Sequence, residues 1–144
     1  MKNPTLYIKE ALYEVFGDSF TISGQNVEWY TDAPASPPDN YCWVEDSSMV
    51  DIGTKEDFIS ESFVVVHCVT KVDSKAPDSL LLEEIVEEVT ESTVTRGQTA
   101  ITLNNTFKTI SVTCEDFTPY KNEIGEKTEL AKAIRLKFIV EQLN

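Results

Sequence analysis

His67 is the single histidine of the chain, and Cys42, Cys68 and Cys114 are its three cysteines. Nucleophilic, acid–base or soft-metal chemistry would have to start from these four side chains. A Ser-His-Asp or Cys-His catalyst would need His67. That residue lies inside the apolar run Phe63-Val-Val-Val-His-Cys-Val69, away from the turns and strand ends that carry nucleophiles. No GxSxG elbow accompanies it, and neither a GxxxxGK[ST] nor a GxGxxG phosphate loop occurs. The cysteines are odd in number, widely spaced and never in a CxxC pair, so they read as small buried hydrophobes.

Carboxylates are the abundant resource: 25 Asp and Glu stand against 12 Lys and Arg, a formal charge of −13. The acidic stretch Asp46 to Asp57 fails the EF-hand pattern, because its third, fifth and sixth positions are Ser48, Val50 and Asp51. Carboxylate pairs for glycoside hydrolysis carry little signal where so many acids make chance pairs. No metal, no cofactor and no enzymatic activity is therefore expected. Stable nucleic-acid binding is not expected either, since neutralising phosphates needs clustered cations.

The chain has 144 residues with 41% apolar residues, which suits one domain, residues 1–144, with a packed core. No apolar run approaches the roughly 20 residues of a bilayer span, and Met1-Lys2-Asn3-Pro4 leads into no signal-peptide core. A soluble domain made inside the cell, without membrane contact, is the expectation.

Periodicity supplies the elements. Asn3, Pro4 and Gly17 bracket a helix over 4–16 with Ile8, Ala11, Leu12 and Val15 on one stripe, widened by Tyr7, Tyr13 and Phe16. Residues 26–31 and 41–45 read as strands separated by a proline loop, and 46–57 as a polar loop. Residues 58–69 form a long strand with Val64, Val66 and Cys68 on one face and Phe63, Val65, His67 and Val69 on the other. A helix over 77–90 buries Leu82, Ile85, Val86 and Val89 and turns Glu83, Glu84, Glu87, Glu88 and Glu91 outward. The strand at 106–117 alternates, with Ile110, Val112 and Cys114 on one face and Thr109, Ser111, Thr113 and Glu115 on the other. After a loop at 118–128, the strand at 130–141 buries Ile134, Leu136, Phe138 and Val140. The order α-β-β-β-α-β-β predicts an α+β domain: a mainly antiparallel, twisted sheet of about five strands packed by two helices.

Two helices cover one face of such a sheet. The other face, apolar at Phe63, Val65 and His67, is then a candidate contact with another subunit. Trp29, Tyr30, Tyr41 and Trp43 have the aromatic character of an interface centre and equally of a core.

The succession of elements resembles the tail-terminator or tail-completion proteins of long-tailed phages. It runs from the helix Pro4–Phe16 to the strand Val27-Glu-Trp-Tyr30, then through the lead-in Ala35-Ser-Pro-Pro38 to Tyr41-Cys-Trp-Val44. The long strand Phe58–Val69, ending Val65-Val-His-Cys-Val-Thr70, the helix Pro77–Thr90 and the closing strand Ala133-Ile-Arg-Leu-Lys-Phe-Ile-Val140 complete it. The resemblance implies a non-enzymatic ring, commonly hexameric, that caps the tail tube at the tail–head junction of a virion and is assembled in the host cytoplasm. Its implied partners are copies of itself, the tail tube protein and a neck or connector protein. Trp29, Tyr30, Tyr41, Trp43, Phe63, Val65 and His67 would then be subunit-interface candidates, and Asp46, Asp51, Glu56 and Asp57 tube- or neck-contacting ones. The glutamates from Glu83 to Glu91 would face a DNA-repelling lumen or the wet outside of the ring. The competing expectation is an acidic protein-binding module that mimics nucleic acid and presents those glutamates to a basic partner.

Overall fold

In the computed structural model, which describes residues 3–53, 58–75, 77–94, 103 and 107–143, the chain opens with helix α1 (Thr5–Phe16). Asn3 Oδ1 accepts a hydrogen bond from Thr5 N at 3.0 Å. At the other end Gly17, at φ +69°, donates to Tyr13 O. That left-handed conformation is one a glycine adopts without a Cβ penalty. Ile8, Ala11, Leu12 and Phe16 are buried as their spacing requires. Val15, expected with them, is 43% exposed. At the last turn the contact passes to Phe16, which stacks on a sheet residue, Trp29, at 4.3 Å. Val15, about 100° away around the helix, is left outside.

Strands β1 (Ser19–Ile22) and β2 (Gln25–Tyr30) form an antiparallel hairpin. Ser23 and Gly24 make its turn, both with positive φ, at 50° and 79°. Two positive values in succession match the twist of the flanking strands, as in type I′ turns. β3 (Asn40–Asp51) lies parallel to β2 after the proline loop, and β4 (Ile59–Asp73) returns antiparallel. Helix α2 (Leu80–Thr93) leads to β5 (Phe107–Ile124) and β6 (Lys127–Gln142). The sheet order is β1-β2-β3-β4-β6-β5. The domain is α+β with a mainly antiparallel sheet, as expected, but it has six strands because β1 adds one at the edge.

Several elements differ in extent from the sequence reading. Residues 46–51 are strand, not loop: Asp46 pairs with Val64 and Asp51 with Ser60, with a bulge between Asp46 and Ser48. Residues 118–124 and 127–128 are strand too, so the expected hairpin loop shrinks to a two-residue turn at Gly125-Glu126. Polar composition in these segments reports exposure, while backbone pairing with a long neighbour decides the conformation. A second bulge, between Thr109 and Ser111, reverses the local alternation, so Thr109 is buried and Ile110 is 44% exposed. Helix α2 starts and ends three residues later than expected. Asp78 Oδ1 accepts from Leu80 N at 2.9 Å, and the Thr90 and Thr93 hydroxyls donate to carbonyls one turn back.

Both helices pack on the same side. Leu82, Ile85, Val86 and Val89 of α2 and the α1 stripe close over Val44, Val64, Val66, Cys68, Ile134, Leu136 and Phe138. Cys42 and Cys68 face each other across β3 and β4 on this side, both free thiols at 0% exposure. Burial pushes the Cys42 thiol pKa well up, so it acts as a packed hydrophobe. Lys9 ties the α1 side of the layer down. Its ammonium lies 3.1 Å from both Asp32 and Asp46. Burial lowers the pKa of Lys9, but those two carboxylates together outweigh it and leave the pKa raised.

Candidate functional site: the helix-free face of the sheet

Strand alternation sends every second side chain of β4 away from the helices. Phe63, Val65 and His67 emerge there half-buried, and Val69 is covered by its neighbours on the same face, Tyr41 and Ala131. Register then assembles the face: Tyr41 lies opposite Val69, Trp43 opposite His67 and Glu45 opposite Val65. On the other flank Lys137 lies opposite Phe63, Arg135 opposite Val65 and Ala133 opposite His67.

The centre of this face is ordered by ring contacts. Trp43 stacks on His67 at 4.1 Å between centroids and 7° between planes. Tyr30 meets Tyr41 edge-on at 6.2 Å. His67 Nε2 is 2.6 Å from Glu45 Oε2, and its Nδ1 is 3.1 Å from the Tyr120 hydroxyl. A carboxylate can only accept, so Nε2 donates to Glu45; in the neutral imidazole Nδ1 then accepts from Tyr120. Burial first, then the nearby Tyr41 and acidic groups, push the Tyr120 phenol up to about 12. A phenol so hard to ionise is a poor base or nucleophile near neutral pH. Cys68, next to His67 in sequence, points to the opposite face, so the thiol and the imidazole cannot act together. The Glu45–His67–Tyr120 chain thus fixes one rotamer of His67 beneath Trp43 and supplies no nucleophile–base pair. Among the described residues no group of three or more His, Cys, Asp or Glu is placed to hold a metal ion.

Arg135 completes the face. Its guanidinium lies 4.4 Å over the Phe63 ring, a cation–π geometry; it makes no ion pair among the described residues, though its charge, after the Lys137 ammonium, helps hold the Glu115 carboxyl below its usual range. Lys137 beside it is paired with Glu115 at 3.0 Å.

The fold recurs in a virion. A chain of a solved structure, "Virion of native gene transfer agent (GTA) particle", matches with a TM-score of 0.68 over 96% of this chain and 99% of that one. Sequence identity is 12%, so the likeness is one of fold. No protein-family model matches the sequence, and no curated protein does.

The remaining candidate residues are dispersed. Trp29 belongs to the helix side, where it is 3% exposed against Phe16, apart from the other six interface candidates. On α2, Glu83 is paired with Lys132 at 2.5 Å and Glu84 accepts from Ser23 at 2.5 Å. Glu87, Glu88 and Glu91 are exposed, with no cation in ion-pair range among the described residues. Asp46 is engaged with Lys9 and Asp51 accepts from Gly53 N at 3.0 Å, while Glu56 and Asp57 lie outside the described residues. The sequence reading did not single out Glu45, Tyr120 or Arg135. Tyr120 lies in the expected loop, and alternation continued from Val112 and Cys114 would send it to the helix side; the bulge between Cys114 and Asp116 turns it to the face of His67, which spacing does not report.

Proposed function

We propose that this chain is a non-enzymatic structural protein of a virion, assembling with copies of itself into a hexameric ring. The ring caps the tail tube and joins it to the neck at the tail–head junction. The observation that carries this reading is the one-sided covering of the sheet among the described residues. Both helices lie on one face, and the other presents Tyr30, Trp43, Phe63, Tyr120 and Arg135 around the buried Tyr41. Aromatic residues and arginine are the types enriched at interface centres. The fold likeness to a chain from a gene transfer agent virion supports the same reading. Tail tube and connector proteins are its partners in this proposal, and the exposed Glu87, Glu88 and Glu91 face DNA or solvent, where like charge prevents sticking.

Sedimentation of the purified chain across a range of concentrations tests the ring. We expect a species of six times the protomer mass, growing with concentration. Trp43→Ala should weaken it by at least about 30-fold, the effect of removing a hot-spot aromatic worth 2 kcal/mol or more. A mass that stays at the protomer at every concentration, with capture of a basic partner by α2, would instead favour the acidic mimic. Glu87, Glu88 and Glu91, in no ion pair among the described residues, are the feature that keeps that second reading in view.

A further inference from the structure

A closed cyclic ring is built head to tail, so each subunit must offer two different surfaces that fit one another. The helix-free face is one of them, and it presents Arg135, which makes no ion pair among the described residues, on an apolar bed of Phe63 and Val65. A second surface turned away from the first, with apolar groups and a carboxylate among them, would complete the pair. The outer faces of the two helices differ in this respect. α2 turns glutamates outward, with Leu80 at its first position as its one exposed large hydrophobic. α1 turns out Leu6 at 59% and Tyr13 at 40% exposure, with Glu10 between them at the i, i+4 and i, i+7 spacing of one stripe. Glu10 has no ion-pair partner among the described residues.

Resting on the ring reading above, we infer that the outer stripe Leu6–Glu10–Tyr13 of one subunit docks on the helix-free sheet face of the next, with Glu10 meeting Arg135. The apolar side chains flanking each charge exclude water from the contact. The fork of a guanidinium accepts a carboxylate in a defined orientation, which fixes the docking register. A chain with 25 acids and 12 cations selects against random contacts between its own copies, so an arginine outside any ion pair among the described residues, on an apolar bed, specifies one arrangement. The α2 glutamates stay outside this contact and remain wet.

A charge-swap series on the full chain, read by sedimentation with circular dichroism as the folding control, decides it. Both positions are exposed, so the protomer should stay folded in each variant. Arg135→Glu and Glu10→Arg should each raise the half-dissociation concentration at least about tenfold. Combining them should restore assembly toward that of the parent chain, and Arg135→Gln should fall between. If Arg135→Glu disrupts the ring while Glu10→Arg does not, or the double variant fails to recover, α1 is not the docking surface; the inference falls and the ring survives. If the parent chain never leaves the protomer mass, the ring reading itself falls.

Discussion

Val66→Lys should leave no folded protein, while Val65→Lys, one position earlier in β4, should leave a folded protomer that no longer assembles. Val66 is 0% exposed and lies between Val44 and Ile134 beneath the helices. An ammonium there has neither water nor a carboxylate, at a cost of several kcal/mol. A domain with about 5–15 kcal/mol in hand does not carry that penalty and keep its packing. Val65 points the other way and is half-buried, with Glu45 opposite it on one side and Arg135 on the other. A lysine at that position extends into solvent beside the Glu45 carboxylate, so the fold persists. What it removes is the apolar bed of the proposed docking face. Thermal melts by circular dichroism and sedimentation of both variants check the pair. If both unfold alike, the protomer closes both faces itself. If Val65→Lys assembles as well as the parent, the helix-free face is not where copies meet.

Phe138→Ala should lower stability by about 3–5 kcal/mol, as truncation of a fully enclosed aromatic does. For a domain of this size that corresponds to a fall in melting temperature on the order of 10 °C. Phe138 is 0% exposed on the helix side of β6, opposite Ser62 of β4 and Val112 of β5. Both neighbours are small and held in pairing strands, so they cannot close the space a phenyl ring leaves. The Ser62 hydroxyl, buried with no hydrogen-bond partner among the described residues, gains nothing from a dry cavity. Below its lowered melting temperature the variant should still assemble, because no atom of the helix-free face has changed. Urea unfolding monitored by far-UV circular dichroism measures the shift. A change under about 1 kcal/mol would place the centre of the core elsewhere.

Legibility in the sequence followed how local each cause was. The α1 stripe and its Asn3 and Gly17 ends were readable because caps and helical periodicity act within a few residues. The two-faced character of β4 was readable too, since its alternation needs no partner. β1 was missed because four residues, Ser19–Ile22, carry too few alternations, although Ser23-Gly24 was a turn signal. The reach of β3 to Asp51 and of β5 to Ile124 is set by pairing with strands distant in sequence, which composition does not report. Bulges defeated the alternation of Thr109 and Ile110 by inserting one residue and flipping the pattern. The aromatic cluster was legible as a group but not in its division. Trp29 goes to the core because Phe16 of α1 lies over it, whereas Tyr30 points to the other face by strand alternation. Arg135 was legible as outward-facing. That its guanidinium would be held over Phe63 depends on cross-strand register and could not be read from spacing.

Trp43 offers the most direct view of whether a second copy closes the open sheet face. With Trp29→Phe in the background, Trp43 is the chain's one tryptophan, and its fluorescence can be quenched by acrylamide at concentrations below and above assembly. A quenching constant that drops in step with the rise in sedimenting mass is the predicted result. Growth in mass with Trp43 as accessible as in the dilute protomer would contradict it.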